Sequence, residues 1–175
     1  MKEINPHRIH VTPEPVRLEG FQAIFRPGKS GKCLISLIVP ASFIEPLELE
    51  RPELLKSMKD ELKIRRAHYR LEPWEPVRKG DYKITMRWDP EQIIHIYDSN
   101  CEAVEEEIPL YSGSLVKVSL RQSPYAMGDE VGTSLRLQAI QVIKQNGKFL
   151  EPDGFDPHGA FGLYQGGYSI HQNQT

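Results

Sequence analysis

The chain has 175 residues, 39% of them hydrophobic and 26% charged, with a formal net charge of −2. That length suits one domain with a sizeable core, and no apolar run nears the roughly 20 residues of a membrane-crossing helix. The opening MKEINPHRIHVTPEP lacks the apolar stretch of a secretory signal, so the expected location is cytoplasmic. Cys33 and Cys101 stand far apart without C-x-x-C spacing and read as reduced, structural residues.

Residues 1–20 are Pro-rich and weakly patterned and read as an N-terminal extended arm. Phe21–Phe25 and Cys33–Val39 are predicted strands joined by the basic turn Arg26-Pro27-Gly28-Lys29-Ser30-Gly31-Lys32. The second, CLISLIV, is apolar on both faces apart from Ser36, which places it centrally in a sheet. An irregular stretch containing Pro40, Pro46 and Pro52 follows. Pro52 suits the first turn of a helix predicted to reach about Tyr69, with Leu55, Met58 and Leu62 on one face. Lys63, Arg65 and Arg66 fall at its C-terminal end, where the macrodipole favours positive charge. Tyr82–Trp88 alternates as a strand, with Tyr82, Ile84, Met86 and Trp88 opposing Lys83, Thr85 and Arg87. Ile93–Tyr97 is a further strand, followed by a turn at Asp98-Ser99-Asn100 and an acidic loop.

The clearest pattern lies in residues 111–143. Val116, Val118 and Leu120 alternate with Lys117, Ser119 and Arg121; across a turn-rich connection, Leu135, Leu137 and Ala139 alternate with Ser134, Arg136 and Gln138. The apolar parity then shifts to Ile140 and Val142, which predicts a bulge or a strand covered on both faces. A sheet with one face buried and Lys, Arg, Gln and Tyr on the other is a platform for a polyanion. An ordinary antiparallel hairpin with a solvated outer face has the same pattern. Residues 151–175 hold three acids, no Lys or Arg, and many Gly, Gln and aromatic residues, and read as a tail without a core of its own.

Charge is segregated along the chain. From Lys63 to Arg87 there are eight basic residues against three acidic ones; from Trp88 to Ile108 there are seven acids and no Lys or Arg. No nucleophile elbow, phosphate loop or dinucleotide fingerprint is present. His7 and His10 form H-x-x-H on an extended segment where side chains diverge, and the remaining histidines, His95 among them, are isolated. No enzyme, metal or cofactor is expected. Single-strand recognition needs Lys and Arg to track phosphates and aromatic faces for unpaired bases. The phosphate candidates are Arg26, Lys29 and Lys32, then Arg70, Arg78, Lys79, Lys83 and Arg87, with Lys117, Arg121 and Arg136 on the hairpin. Tyr69, Trp74, Tyr82, Trp88, Tyr97, Tyr111 and Tyr125 are the aromatic pool. Trp74, between Pro73 and Pro76, is the foremost stacker and Tyr125 the second, while Tyr82 and Trp88 are assigned to the apolar face of their strand.

GFQAIFRPGKSGKCLISLIVP, then a helix, then TMRWDP and IIHIYDSN, and above all LYSGSLVKVSL followed by GTSLRLQAIQVI resemble the phage replication single-stranded DNA-binding proteins. The most specific parts are Tyr111-x-Gly113 and the pattern from Gly132 to Val142. The resemblance implies a mainly β chain: an OB-fold-like antiparallel barrel of five strands over residues 21–150, with one inserted α-helix and an irregular C-terminal tail. It implies single-stranded DNA as ligand in a basic, aromatic-lined groove, support of annealing, polymerase and helicase as partners, a homo-oligomer such as a dimer, and the host cytoplasm. The family's strongly acidic tail closed by an aromatic residue is absent, since this chain ends in Thr175 with only Glu151, Asp153 and Asp156 in its last segment. A tail using Phe155, Phe161, Tyr164 and Tyr168 could instead pack on a neighbouring subunit. Two other classes fit the residues: a structural or protein-interaction module without nucleic-acid binding, and an RNA-binding barrel.

Overall fold

The computed structural model describes residues 8–146; residues 1–7 and the expected tail at 151–175 lie outside that range. In chain order the described residues form β1 (His10–Val11), β2 (Val16–Leu18), β3 (Cys33–Pro40), α1 (Ala41–Glu61), β4 (His68–Tyr69), β5 (Trp74–Pro76), β6 (Asp81–Trp88), β7 (His95–Tyr97), β8 (Leu115–Met127) and β9 (Glu130–Lys144). All nine strands belong to one sheet, hydrogen-bonded in the order β4-β9-β8-β2-β3-β6-β5, with β1 on β8 and β7 on β9. The described residues are thus mainly β with a single helix, as expected, although their sheet is built from nine segments and not five.

The core follows from the alternation. Ile35, Leu37 and Val39 of β3, Ile84 and Met86 of β6, and Val116, Val118 and Leu120 of β8 are almost wholly buried. Each such side chain contributes about 1.5–3 kcal/mol by leaving water. α1 packs against β3, β6, β8 and β9 together, inserting Phe43, Ile44, Leu47, Leu54 and Leu55. Helical spacing puts those five residues on one stripe.

That stripe explains a correction. The helix begins at Ala41 and ends at Glu61, so Pro46 and Pro52 lie inside it and the basic run Lys63, Arg65, Arg66 lies past its end. Burial of the stripe outweighs the helix-breaking cost of an interior proline, about 3 kcal/mol each. Phe21–Phe25 forms no strand; its pairing is the single bridge Ala23↔Leu34. Residues 10–18, read as part of an arm, are woven into the sheet, with β2 between β3 and β8 and Leu18 fully buried. His10 is buried too, its Nε2 placed 3.1 Å from a Glu50 carboxylate oxygen on α1.

The hairpin is longer than its turn-rich sequence suggests. β8 and β9 stay paired from Leu115↔Lys144 to Met127↔Glu130, leaving Gly128-Asp129 as a two-residue turn. Gly128 has φ +62°, which the first position of such a turn requires. The anticipated bulge is present: Ser119 faces Ala139 while Leu120 faces Leu137, so Gln138 is the extra residue and parity flips there. Gly113, in the other sequence-specific motif, has φ +94° and lies against Asn146, whose backbone N–H donates to Ser114 Oγ. The start of β8 and the end of β9 are locked together at that point.

The two ends of the sheet path, β4 and β5, are consecutive in sequence. β4 runs parallel to β9 and β5 antiparallel to β6, so residues 70–73 stride across the gap between β9 and β6. The sheet therefore curls almost to a barrel with a seam at this crossing.

Candidate functional site

A cleft of about 690 Å³ opens at the seam, lined by Tyr69, Arg70, Leu71 and Pro73 of the crossing, Thr85 to Arg87 of β6, Tyr125 of β8, and Thr133 to Arg136 of β9. A second, of about 500 Å³, is lined by Gln92, Ile93, His95, Tyr97, Ser119, Arg121 and Arg136 to Ala139. Arg136 belongs to both, so the two form one trench along the outer face of the β8–β9 ribbon. Four arginines line it and no carboxylate does.

Strand geometry sets these positions. Arg121 and Arg136 are directly paired across the ladder, which starts their two side chains side by side on the outer face. Neither they nor Arg87 reach a carboxylate at ion-pair distance among the described residues. Tyr125 faces Gly132, and a Cβ built on Gly132 would sit 2.7 Å from the Tyr125 hydroxyl. The missing side chain is what lets the hydroxyl end of the ring come close to the β9 backbone. Arg70 donates to Glu130 at 2.8 Å, and that hydrogen bond, followed by the charge of Glu130, raises its guanidinium above the ordinary value. Arg51 of α1 ties the crossing in place, donating to Thr133 Oγ1 and to the Arg70 carbonyl.

Of the residues chosen from sequence, the trench gathers Arg70, Arg87, Arg121, Tyr125 and Arg136. The others lie outside both clefts. Trp74, expected as the best exposed stacker, is a core residue only 6% exposed. Its place between two prolines and near Arg70, Arg78 and Lys79 pointed to exposure, yet residues 74–76 pair with β6 as β5 and turn the indole inward. Trp88 belongs to the core and Tyr82, half-buried, packs against it, both on the apolar face as expected. Arg26 is paired with Glu107 at 2.9 Å and Lys32 with Asp89, so the acidic segment neutralises two cations of the 26–32 turn; Lys29 stays exposed on it. Arg78 and Lys79 sit in the β5–β6 turn, at the other end of β6 from Arg87 and roughly 20 Å along the strand. Lys83 lies beside Gly20, and Lys117 shares the outward face of β8 beyond the second cleft.

Sequence reasoning passed over three trench residues. Tyr69 and Tyr97 were in the aromatic pool without being chosen, and His95 was set aside as isolated. The signal was there: His95 and Tyr97 are two apart in a strand and so share a face. Their rings lie 20° from parallel with centroids 6.4 Å apart.

Among the described residues no three His, Cys, Asp or Glu side chains group as a metal site, and no helix is long and apolar enough to cross a membrane. Cys33 is buried, which pushes its thiol above the usual value, and Cys101 is exposed; both are free.

No protein-family model and no curated protein matches this chain. Solved structures do. The single-stranded DNA-binding protein encoded by bacteriophage T7 superposes with a TM-score of 0.65 at 13% identity, covering 81% of this chain and 94% of that one. This chain has the fold of phage single-stranded DNA-binding proteins. A second example, from bacteriophage Enc34, gives a TM-score of 0.52 at 15% identity over 85% of this chain and 87% of that one. At such identities the backbone path is shared and few side chains are. Both of these neighbours are single-stranded DNA-binding proteins.

Proposed function

We propose that the chain binds single-stranded DNA along the trench that meets at Arg136. The observation that carries this reading is a continuous groove with three tyrosines, no carboxylate in its lining and four arginines, of which only Arg70 has a carboxylate partner among the described residues, on a protein whose net charge is −2. A globally acidic chain that keeps one groove free of acids has concentrated its positive potential where a polyanion would lie. Arg87, Arg121 and Arg136 hold phosphates; Tyr125 and Tyr69 offer ring faces to bases. The fold shared with two phage single-stranded DNA-binding proteins supports the DNA-binding reading; the proposal extends it to phage DNA replication, coating and protecting unpaired strands and assisting annealing, with the polymerase and helicase as partners and a dimer as the working form.

The test is a fluorescence titration with oligo-dT at several salt concentrations. Binding at micromolar Kd or tighter, with log K falling against log salt by about 0.7 per phosphate contact, is the expected result. Neither quenching nor a mobility shift at low salt would remove the assignment and leave a protein-interaction module. Stronger binding to oligo-U than to oligo-dT would redirect it to RNA.

A further inference from the structure

We propose that His95 and Tyr97 form a separate base-stacking subsite in the second cleft, a role that rests on the single-strand binding proposed above. The two side chains project from β7 on the same face as Arg121 and Arg136. Their centroid separation of 6.4 Å matches two residues of strand rise, about 6.6 Å, so neither ring leans onto the other. Near-parallel faces at that spacing are close to twice the ~3.4 Å base repeat, which suits one unpaired base stacked against the pair.

Two neighbours leave the rings open. His95 is level with Ala139, whose methyl group does not cover it. Tyr97 is level with Gln141, but the Gln141 amide donates to the Ser99 carbonyl and contacts Cys101 Sγ, which draws it toward the 98–101 turn. The His95 imidazole is exposed and has no hydrogen-bond or ion-pair partner among the described residues. Ile93, 78% exposed, adds an apolar wall to the same cleft. An aromatic pair with open faces, two arginines beside it and no acid in the lining has the chemistry of a base pocket with its phosphate clamp. The trench then grips the strand at two places, around Tyr125 and around Tyr97, with Arg136 between them.

The experiment pairs ultraviolet cross-linking of an iododeoxyuridine-substituted dT oligonucleotide, mapped by mass spectrometry, with titrations of Tyr97→Leu, Tyr97→Phe and His95→Ala. Adducts on His95 or Tyr97 are expected. Tyr97→Leu should weaken binding roughly ten-fold with an unchanged salt slope, while Tyr97→Phe keeps the parent affinity because the ring is retained. Parent-like binding by Tyr97→Leu and His95→Ala, with adducts confined to the first cleft and Arg136→Ala still weakened, would overturn the subsite and leave the trench. Absence of binding by the parent protein would overturn the trench reading itself, and the subsite with it.

Discussion

A Cβ added at Gly132 would meet the Tyr125 hydroxyl at 2.7 Å and the Arg70 Cβ at 3.0 Å. Gly132→Ala should therefore swing the Tyr125 ring out of the cleft and disturb Arg70, costing about one stacked base, 1–3 kcal/mol, in an oligo-dT titration. An unchanged Kd would take Tyr125 out of the site. At this scale strand parity was enough to turn Arg121 and Arg136 outward, whereas Tyr125, expected in a turn-rich connection, owes its place in the cleft to the length of β8. Sequence reasoning failed at Trp74, where flanking prolines and nearby cations pointed to exposure and only pairing with β6 turns the indole inward. It passed over His95 because isolation along the chain says nothing about a partner two residues away on the same face.

Elements were legible in proportion to how local their cause is. The outer halves of the β8–β9 ribbon follow from alternation, and its bulge is one of the two readings that the parity shift allowed; the pairing of residues 122–133 was hidden by their turn-rich composition. α1 does not, because its start depends on burying Phe43, Ile44 and Leu47 beneath the curled sheet, a long-range gain that propensity cannot register. Pro52 is exposed inside that helix and denies Glu48 a backbone donor. Pro52→Ala should accordingly stabilise the fold by about 1–2 kcal/mol, the helical gain being partly offset by a freer unfolded chain. A lower melting temperature for this variant would contradict the account of the helix.

Across the whole molecule, the segregation of charge along the sequence turned into segregation in space, but not as a single stripe. The acidic stretch from Trp88 to Ile108 folds back on the 26–32 turn and takes up Arg26 and Lys32. Exposed pairs of this kind contribute about 0–1 kcal/mol to stability, yet they cancel charge that a polyanion would otherwise feel. Arg26→Ala and Lys32→Ala should leave oligo-dT affinity nearly unchanged, whereas Arg136→Ala should weaken it and lower the salt slope by about 0.7. Equal losses at all three positions would mean that the strand path crosses the turn as well. No local pattern marks the seam between β9 and β6, because it arises only when β4 and β5 find different partners.

The cross-strand pairing of Arg121 with Arg136 carries a thermal consequence. Like charges set opposite each other on a ladder repel, so the empty protein holds a local stress that mobile ions relieve. Its melting temperature should climb as salt is added at modest ionic strength, measured by calorimetry. With a saturating oligonucleotide the bound phosphates relieve that stress instead, and added salt should lower the transition by stripping the ligand away. Two melting curves with opposite responses to sodium chloride would be the calorimetric mark of that pair.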